Sequence, residues 1–323
     1  MKILIILKFL ILVIFTSCGE GGPPGSDSGI GYLYVTNLTD MSVSVVSLSD
    51  RKVSKTISSV GSQPAHITYS STSQKAFVGD LNSTSVQVID TNSQTISGTI
   101  AVGNVNGGVD MDTSLNRLFC VDSSTGTGIH SVTATDNAVI ANVTIGSNIQ
   151  DIRIDSTNNT AYISDFTDGI HIYNTITNAK ISTVAMGTNP HGLAIDTSSG
   201  MLYVTDVGSN NVHVYNTNTS TLITSITVGT VPQWIALNSD NSKAYVTNET
   251  DGTVSVIHTS SKIVSGTITV GTTPFYVLVD SDYNKAYVTN FGSDTVSVIN
   301  TVTDTVEATI SVGAGPIGMA IIR

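Results

Sequence analysis

The sequence predicts an all-β fold, a seven-bladed β-propeller of four-stranded antiparallel blades, and three observations predict it. A repeated unit opens at Leu33, Ala76, Leu118, Ala161, Leu202, Ala244 and Ala286. That spacing of about 42 residues, with several short strands per unit, is the mark of a propeller. Only 11% of the residues are charged, while Ser, Thr, Asn, Gly and Val dominate, a mixture suited to short strands and polar turns rather than to long helices. Nowhere does the chain show helical periodicity of useful length.

The unit is clearest from Ala244 onward. Ala244-Tyr245-Val246-Thr247-Asn248 and Thr253-Val254-Ser255-Val256-Ile257 alternate β-branched or aromatic residues with small polar ones, as strands do. Gly266-Thr267-Ile268-Thr269-Val270-Gly271 supplies a third strand, and a fourth follows Thr273-Pro274. Stretches such as Asn238-Ser239-Asp240-Asn241-Ser242 break the runs as turns. The first unit begins at Tyr32 without the strand that follows the proline elsewhere, and the last unit ends with that strand unattached, Pro316 to Arg323. The C-terminal strand is therefore expected to complete the N-terminal blade. Closure removes the sheet edges that would invite aggregation.

Ahead of the propeller, residues 1–17 read as a signal peptide: Lys2 and Lys8, an apolar run ending at Phe15, then Thr16 and Ser17. A bare apolar stretch of this length falls short of the roughly 20 residues needed to span a bilayer. Phe15-Thr16-Ser17-Cys18 resembles a bacterial lipobox, which implies acylation of Cys18; Phe15 departs from the Leu that lipoboxes prefer. Residues 18–31 then form a Gly/Pro/Ser linker, and residues 32–323 the propeller. The expected location is the cell envelope, across the inner membrane, with Gly19 after Cys18 leaning toward the outer membrane. The one other cysteine, Cys120, sits in the apolar run Leu118-Phe119-Cys120-Val121 and reads as a small buried hydrophobe.

Tyr34-Val35-Thr36-Asn37, Tyr203-Val204-Thr205-Asp206, Tyr245-Val246-Thr247-Asn248 and Tyr287-Val288-Thr289-Asn290 resemble the YVTN-family β-propeller repeat, and the resemblance covers residues 32–323. It implies a seven-bladed propeller that is secreted or displayed at the cell surface. It implies little about activity, since one fold serves many functions.

In a propeller, the loops leading into the innermost strands surround one mouth of the central channel. Blade by blade those positions are Ala65-His66, Gly107-Gly108, Gln150-Asp151, His191-Gly192, Gln233-Trp234, Phe275-Tyr276 and Ile317-Gly318. They vary while the strands beneath them repeat, as a grafted site would. His66, Asp151, His191, Gln233, Trp234, Phe275 and Tyr276 are thus the candidate ligand-binding residues, or else a plug that packs the mouth. Two positions farther along, Asp110 and Arg153 replace small residues and form a candidate charge pair near the axis, read as structural because each satisfies the other, with a ligand anchor as the alternative.

Two symmetric sets invite a metal reading. Asn37, Asp80, Asp122, Asp165, Asp206, Asn248 and Asn290 close the second strands, and His130, His171 and His213 share a third-strand position. Packed sheets lie about 10 Å apart, whereas calcium holds oxygens at about 2.6 Å and zinc holds imidazoles at about 2.1 Å. Residues on separate blades therefore cannot share one ion, and the Asx residues read as turn-makers.

The formal net charge of -11 and the lack of any basic cluster argue against nucleic acid. No Gly-x-Ser-x-Gly elbow, phosphate loop or Cys-x-x-Cys motif is present, and no residue pattern calls for a cofactor. The reading is a lipid-anchored binding scaffold for a protein, glycan or small ligand, touching the membrane through its anchor alone. The alternatives are a hydrolase using Asp151, His66 and His191, or a passive surface-layer protein.

Overall fold

The computed structural model describes residues 31–81, 83–103, 105, 107–122 and 128–323. The expected leader, Cys18 and the linker up to residue 30 lie outside the described residues. Seven four-stranded antiparallel sheets form the ring. Blade 1 combines Pro316–Ile322 with Tyr32–Asn37, Ser42–Ser47 and Lys52–Ser58. Blades 2 to 7 begin with innermost strands Pro64–Ser70, Val109–Asp112, Ile149–Asp155, Pro190–Asp196, Pro232–Leu237 and Pro274–Asp280. We call the face where the innermost strands start the upper face, and the face where they end the lower one.

Closure occurs as expected. Tyr32, Leu33, Tyr34 and Val35 pair antiparallel with Ile322, Ile321, Ala320 and Met319. At the end of that strand, Arg323 Nη2 donates to Asp280 Oδ2 of blade 7 at 2.5 Å and Nη1 lies 3.2 Å from Asp282, so an ion pair backs the strand pairing.

Second strands are apolar or small along nearly their whole length because both of their faces meet neighbouring blades. Leu33 to Asn37, Ala161 to Asp165 and Ala244 to Asn248 are all buried. The outermost strands alternate instead, with Thr221–Thr227 exposing all but Thr224 and Ile226. The core is consequently a chain of inter-blade clusters. In one, Trp234 and Tyr245 of blade 6 pack with Val277, Ala286 and Val288 of blade 7. Another joins Leu33 and Val35 of blade 1 to Tyr287 and Val296 of blade 7, sealing the ring.

The hydroxyl in the repeated Tyr-Val-Thr string has a mechanical role. Thr205 Oγ1 accepts from Gly192 N of its own innermost strand and donates to Gln233 O of the next blade. Thr36, Ser164, Thr247 and Thr289 form the same bridge. Each bridge sits where the innermost strand bulges, for example between Pro190 and Leu193, so it satisfies polar groups that the interrupted ladder leaves open. Blade 2 has Gly79 and blade 3 has Val121 at this position, without a hydroxyl.

Candidate functional site

Around the axis, equivalent positions carry Gly318, His66, Gly108, Asp151, Gly192, Trp234 and Tyr276 in blade order. Glycine and a large side chain alternate for a steric reason. A Cβ on Gly108 would lie 2.4 Å from Asp151 Oδ1, one on Gly192 2.9 Å from Trp234 Cα, and one on Gly318 3.1 Å from His66 Cα. Seven positions cannot alternate perfectly, so one pair of like residues must be adjacent, and here it is two large ones. That pair is Trp234 and Tyr276, whose rings pack at a tilt of 38° with centroids 4.7 Å apart.

The aromatics close the upper mouth. Trp234 is 1% exposed. Its indole meets His66 at 5.3 Å, His191 at 5.2 Å and Phe275 at 5.9 Å, and Phe166 covers His191 at 5.8 Å. Gln233 turns away from the axis and donates its amide to Glu249. His191 Nδ1 bonds the Gln233 carbonyl. Burial lowers the pKa of His191 to about 4 and that of His66 to about 3, the latter helped by His191 and Arg153, so both imidazoles are uncharged near neutrality. Trp234 Nε1 finds no acceptor among the described residues. Six of the seven sequence-derived candidates thus assemble at one end of the axis, and Gln233 contributes its backbone.

Asp151 differs from its aromatic counterparts by pairing downward. Arg153 Nη2 stands 3.6 Å from Asp151 Oδ2, and Nη1 stands 3.8 Å from Asp110 Oδ2. The charge pair expected of Asp110 and Arg153 is therefore a trio. Burial raises the Asp151 carboxyl to about 7 and also raises Asp110, with Arg153 opposing both shifts. The two aspartates hold the Arg153 guanidinium firmly charged against the effect of burial.

Below this trio the channel is open. A cavity of about 480 Å³ lies among Asp110, Arg153, Tyr276, Leu278, Ala320 and Arg323. A second of about 320 Å³ adds Ala194, Ile195, Ala236 and Leu237. Arg153, Tyr276, Leu278, Val279 and Ser281 line both, so the two join as one funnel that widens to the lower face. Nothing in the repeat pattern marks this funnel, because its apolar wall is made of ordinary innermost-strand residues.

The Asx ring fastens the loops of the upper face. Asp206 accepts from Thr188 N and Asn189 N, and Asp80 from Ser62 N and Gln63 N. Where the residue is Asn its amide donates to a third-strand serine, as Asn37 does to Ser44, Asn248 to Ser255 and Asn290 to Ser297. At Asp165 and Asp206 a histidine donates instead, His171 Nε2 at 3.2 Å and His213 Nε2 at 3.1 Å. Blades 2 and 3 depart from this matching, with Gln87 at the equivalent position in one and a His130 Nε2 that has no hydrogen-bond partner among the described residues in the other. Asp165, Asp168 and His171 offer ligand atoms within 4.8 Å of one another. The Asp165 carboxylate, however, already accepts four backbone N–H groups, from Ser147, Asn148, Thr167 and Asp168. His171 Nδ1 meets Thr183 Oγ1, and the group reads as a loop anchor. Cys120 is buried and unpaired, its thiol pushed up by burial.

The chain is a β-propeller repeat protein. A family model for the NHL repeat matches residues 188–215, and one for the seven-bladed β-propeller lactonase matches residues 216–313. No curated protein matches the chain. Among solved structures it is similar to hydrazine synthase of Kuenenia stuttgartiensis, with 16% identity and TM-score 0.71 over 80% of this chain and 95% of that one. A functionally unknown protein from Desulfotomaculum acetoxidans DSM 771 is similar at 16% identity and TM-score 0.75, over 90% of this chain and 99% of that one. The dihydro-heme d1 dehydrogenase NirN, in complex with DHE, is similar at 11% identity and TM-score 0.67, over 89% of this chain and 65% of that one. At these identities the likeness is one of fold. Among the described residues no helix is long and apolar enough to cross a membrane.

Proposed function

We propose that this protein is a binding scaffold of the cell envelope whose ligand sits in the axial funnel, entering from the lower face. The observation that carries this reading is the asymmetry of the channel. Buried aromatics fill its upper end, while its lower end is a concave space where apolar innermost-strand side chains such as Leu278 and Ala320 stand among the charged groups Asp110, Arg153 and Arg323, as a small-molecule site with convergent polar groups would. Ser281 is exposed and lines both parts of the funnel, so Ser281→Trp obstructs it without disturbing the core. Thermal-shift screening against organic acids, amines and sugars should find ligands that stabilise the wild type, with the shift reduced at least severalfold in Ser281→Trp. Shifts unchanged by that substitution would move the site elsewhere on the ring.

The envelope location rests on the leader. Acylation of Cys18, with the linker behind it, would hold the propeller at a membrane surface. Cell fractionation tests this: Cys18→Ser should move the protein from the membrane to the soluble fraction, and an unchanged distribution would rule the anchor out.

Catalysis is a second reading, favoured by the lactonase match over residues 216–313. In that case the candidate general bases are Asp110, which lines the funnel, and Asp151, buried behind Arg153 with its carboxyl near 7. Turnover of a lactone panel, lost in Asp151→Asn, would support it.

A further inference from the structure

The hydrogen-bonding groups at the funnel floor are unevenly satisfied. The acceptors are occupied. Asp110 Oδ2 accepts from Ile154 N at 2.9 Å and Oδ1 from Met111 N at 2.9 Å. Asp151 accepts from Leu193 N and Ile152 N. The donors are not. Arg153 Nε gives its proton to Leu193 O at 3.1 Å, but the two Nη groups stand 3.6 and 3.8 Å from the carboxylates, beyond hydrogen-bond length. The remaining contact of the guanidinium is the Tyr276 hydroxyl, which accepts from it and keeps its own proton to give.

We infer that the funnel takes a small organic carboxylate, its head group on the Nη groups of Arg153 and the Tyr276 hydroxyl and its apolar body along Leu278, Ile195 and Ala320. A planar guanidinium with unused N–H groups matches a carboxylate in two-point geometry. An ammonium ligand would instead meet the positive charge of Arg153, which stands beside both carboxylates. The inference rests on the funnel reading above and narrows it to one ligand chemistry.

Proton uptake follows from the same geometry. A bound carboxylate adds negative charge beside Asp110 and Asp151, and Asp151 is the group that can neutralise it, since burial already holds its carboxyl near 7. Asp110, raised by burial as well, shares that role, and the remaining groups facing the pair hold their protonation state. Arg153 stays charged, the pKa of Tyr276 from blade 7 is raised by burial, and the imidazoles of His66 and His191 are neutral. The complex therefore binds up to one more proton than the free protein. Affinity should rise as pH falls toward about 7, by at most about tenfold per pH unit, and level off below it.

The test is calorimetric titration of the full chain with benzoate and hexanoate, against benzamide, hexanamide, benzylammonium and glucose. We expect both carboxylates to bind at least about tenfold tighter than their amides, and their affinity to weaken from pH 6.5 to 8. Arg153→Lys should lose about tenfold or more, because a point charge replaces the two-point fork. Asp151→Asn should bind with a flatter pH profile. The probe series and pH profile of the wild type stand even if a variant misfolds. Amides, benzylammonium or glucose binding as tightly as the carboxylates would overturn the carboxylate assignment and leave the funnel as a site. Binding by none of the probes would overturn it as well, and Ser281→Trp separately reports whether the funnel is a site at all.

Discussion

Deletion of residues 316–323 is expected to abolish the cooperative unfolding transition of this protein. Pro316–Ile322 is the innermost strand of blade 1, and its pairing with Tyr32–Val35 joins residues from opposite ends of the sequence. Ile317, Met319, Ala320 and Ile322 are 2 to 7% exposed. The three large side chains alone contribute about 1.5–3 kcal/mol each through burial, a sum comparable with the whole stability of a typical domain, about 5–15 kcal/mol. Deletion also exposes the edge of Tyr32–Asn37, an open template for pairing with other chains. Far-UV circular dichroism should show a broad transition without a defined midpoint, and size-exclusion chromatography should show association. A synthetic peptide of residues 316–323 added in trans should restore the transition. A sharp melt at the wild-type temperature in the truncated chain would contradict the closure.

Trp234→Ala should be the most damaging single substitution in the upper half of the channel, costing about 3–5 kcal/mol. The indole is 1% exposed and touches four rings, those of His66, His191, Phe275 and Tyr276. Its glycine neighbour at position 192 leaves no side chain to collapse into the void. Trp234→Phe should behave differently. Phenylalanine keeps most of the stacking and removes a buried N–H that has no acceptor, a group that itself costs about 1–3 kcal/mol to leave unpaired. We therefore expect a loss below about 1.5 kcal/mol for Trp234→Phe. Guanidinium unfolding followed by circular dichroism separates the two, and equal losses would mean that the plug is not what the indole supports.

Much of this architecture was readable before any coordinates, because a repeat states the same structural problem seven times. The unattached strand after Pro316 and the missing strand before Tyr32 were visible as complementary defects, and the closure follows from them. Six of the seven mouth candidates do meet on the axis, since their positions are fixed by the repeat register. Which of them face solvent was not readable. The burial of Trp234 depends on Gly192 and Gly318 letting neighbouring blades come close, an effect of packing across blades and not of order along the chain. The funnel was hidden for a related reason. Arg153 and Asp110 stood out as charges at small-residue positions, but the engagement of the aspartates by backbone N–H groups of Ile154 and Leu193 depends on the bulges of the innermost strands. One-dimensional patterns do not carry that information.

The place where the chain joins the ring gives the funnel a direction. A Cβ on Gly31 would sit 3.1 Å from Arg323 Cγ, and Arg323 lines the funnel rim. Residues ahead of the propeller thus connect at the open face, not at the plugged one. Under the proposed acylation of Cys18, a chain from that residue to the rim could span at most about 45 Å, and its shortest route to a membrane surface would hold the propeller as a cup mouth-down. Molecules concentrated at or released from the bilayer would then meet the open side first, while solutes from the bulk would have to pass around the rim. Such an arrangement turns a symmetric ring into a one-sided collector.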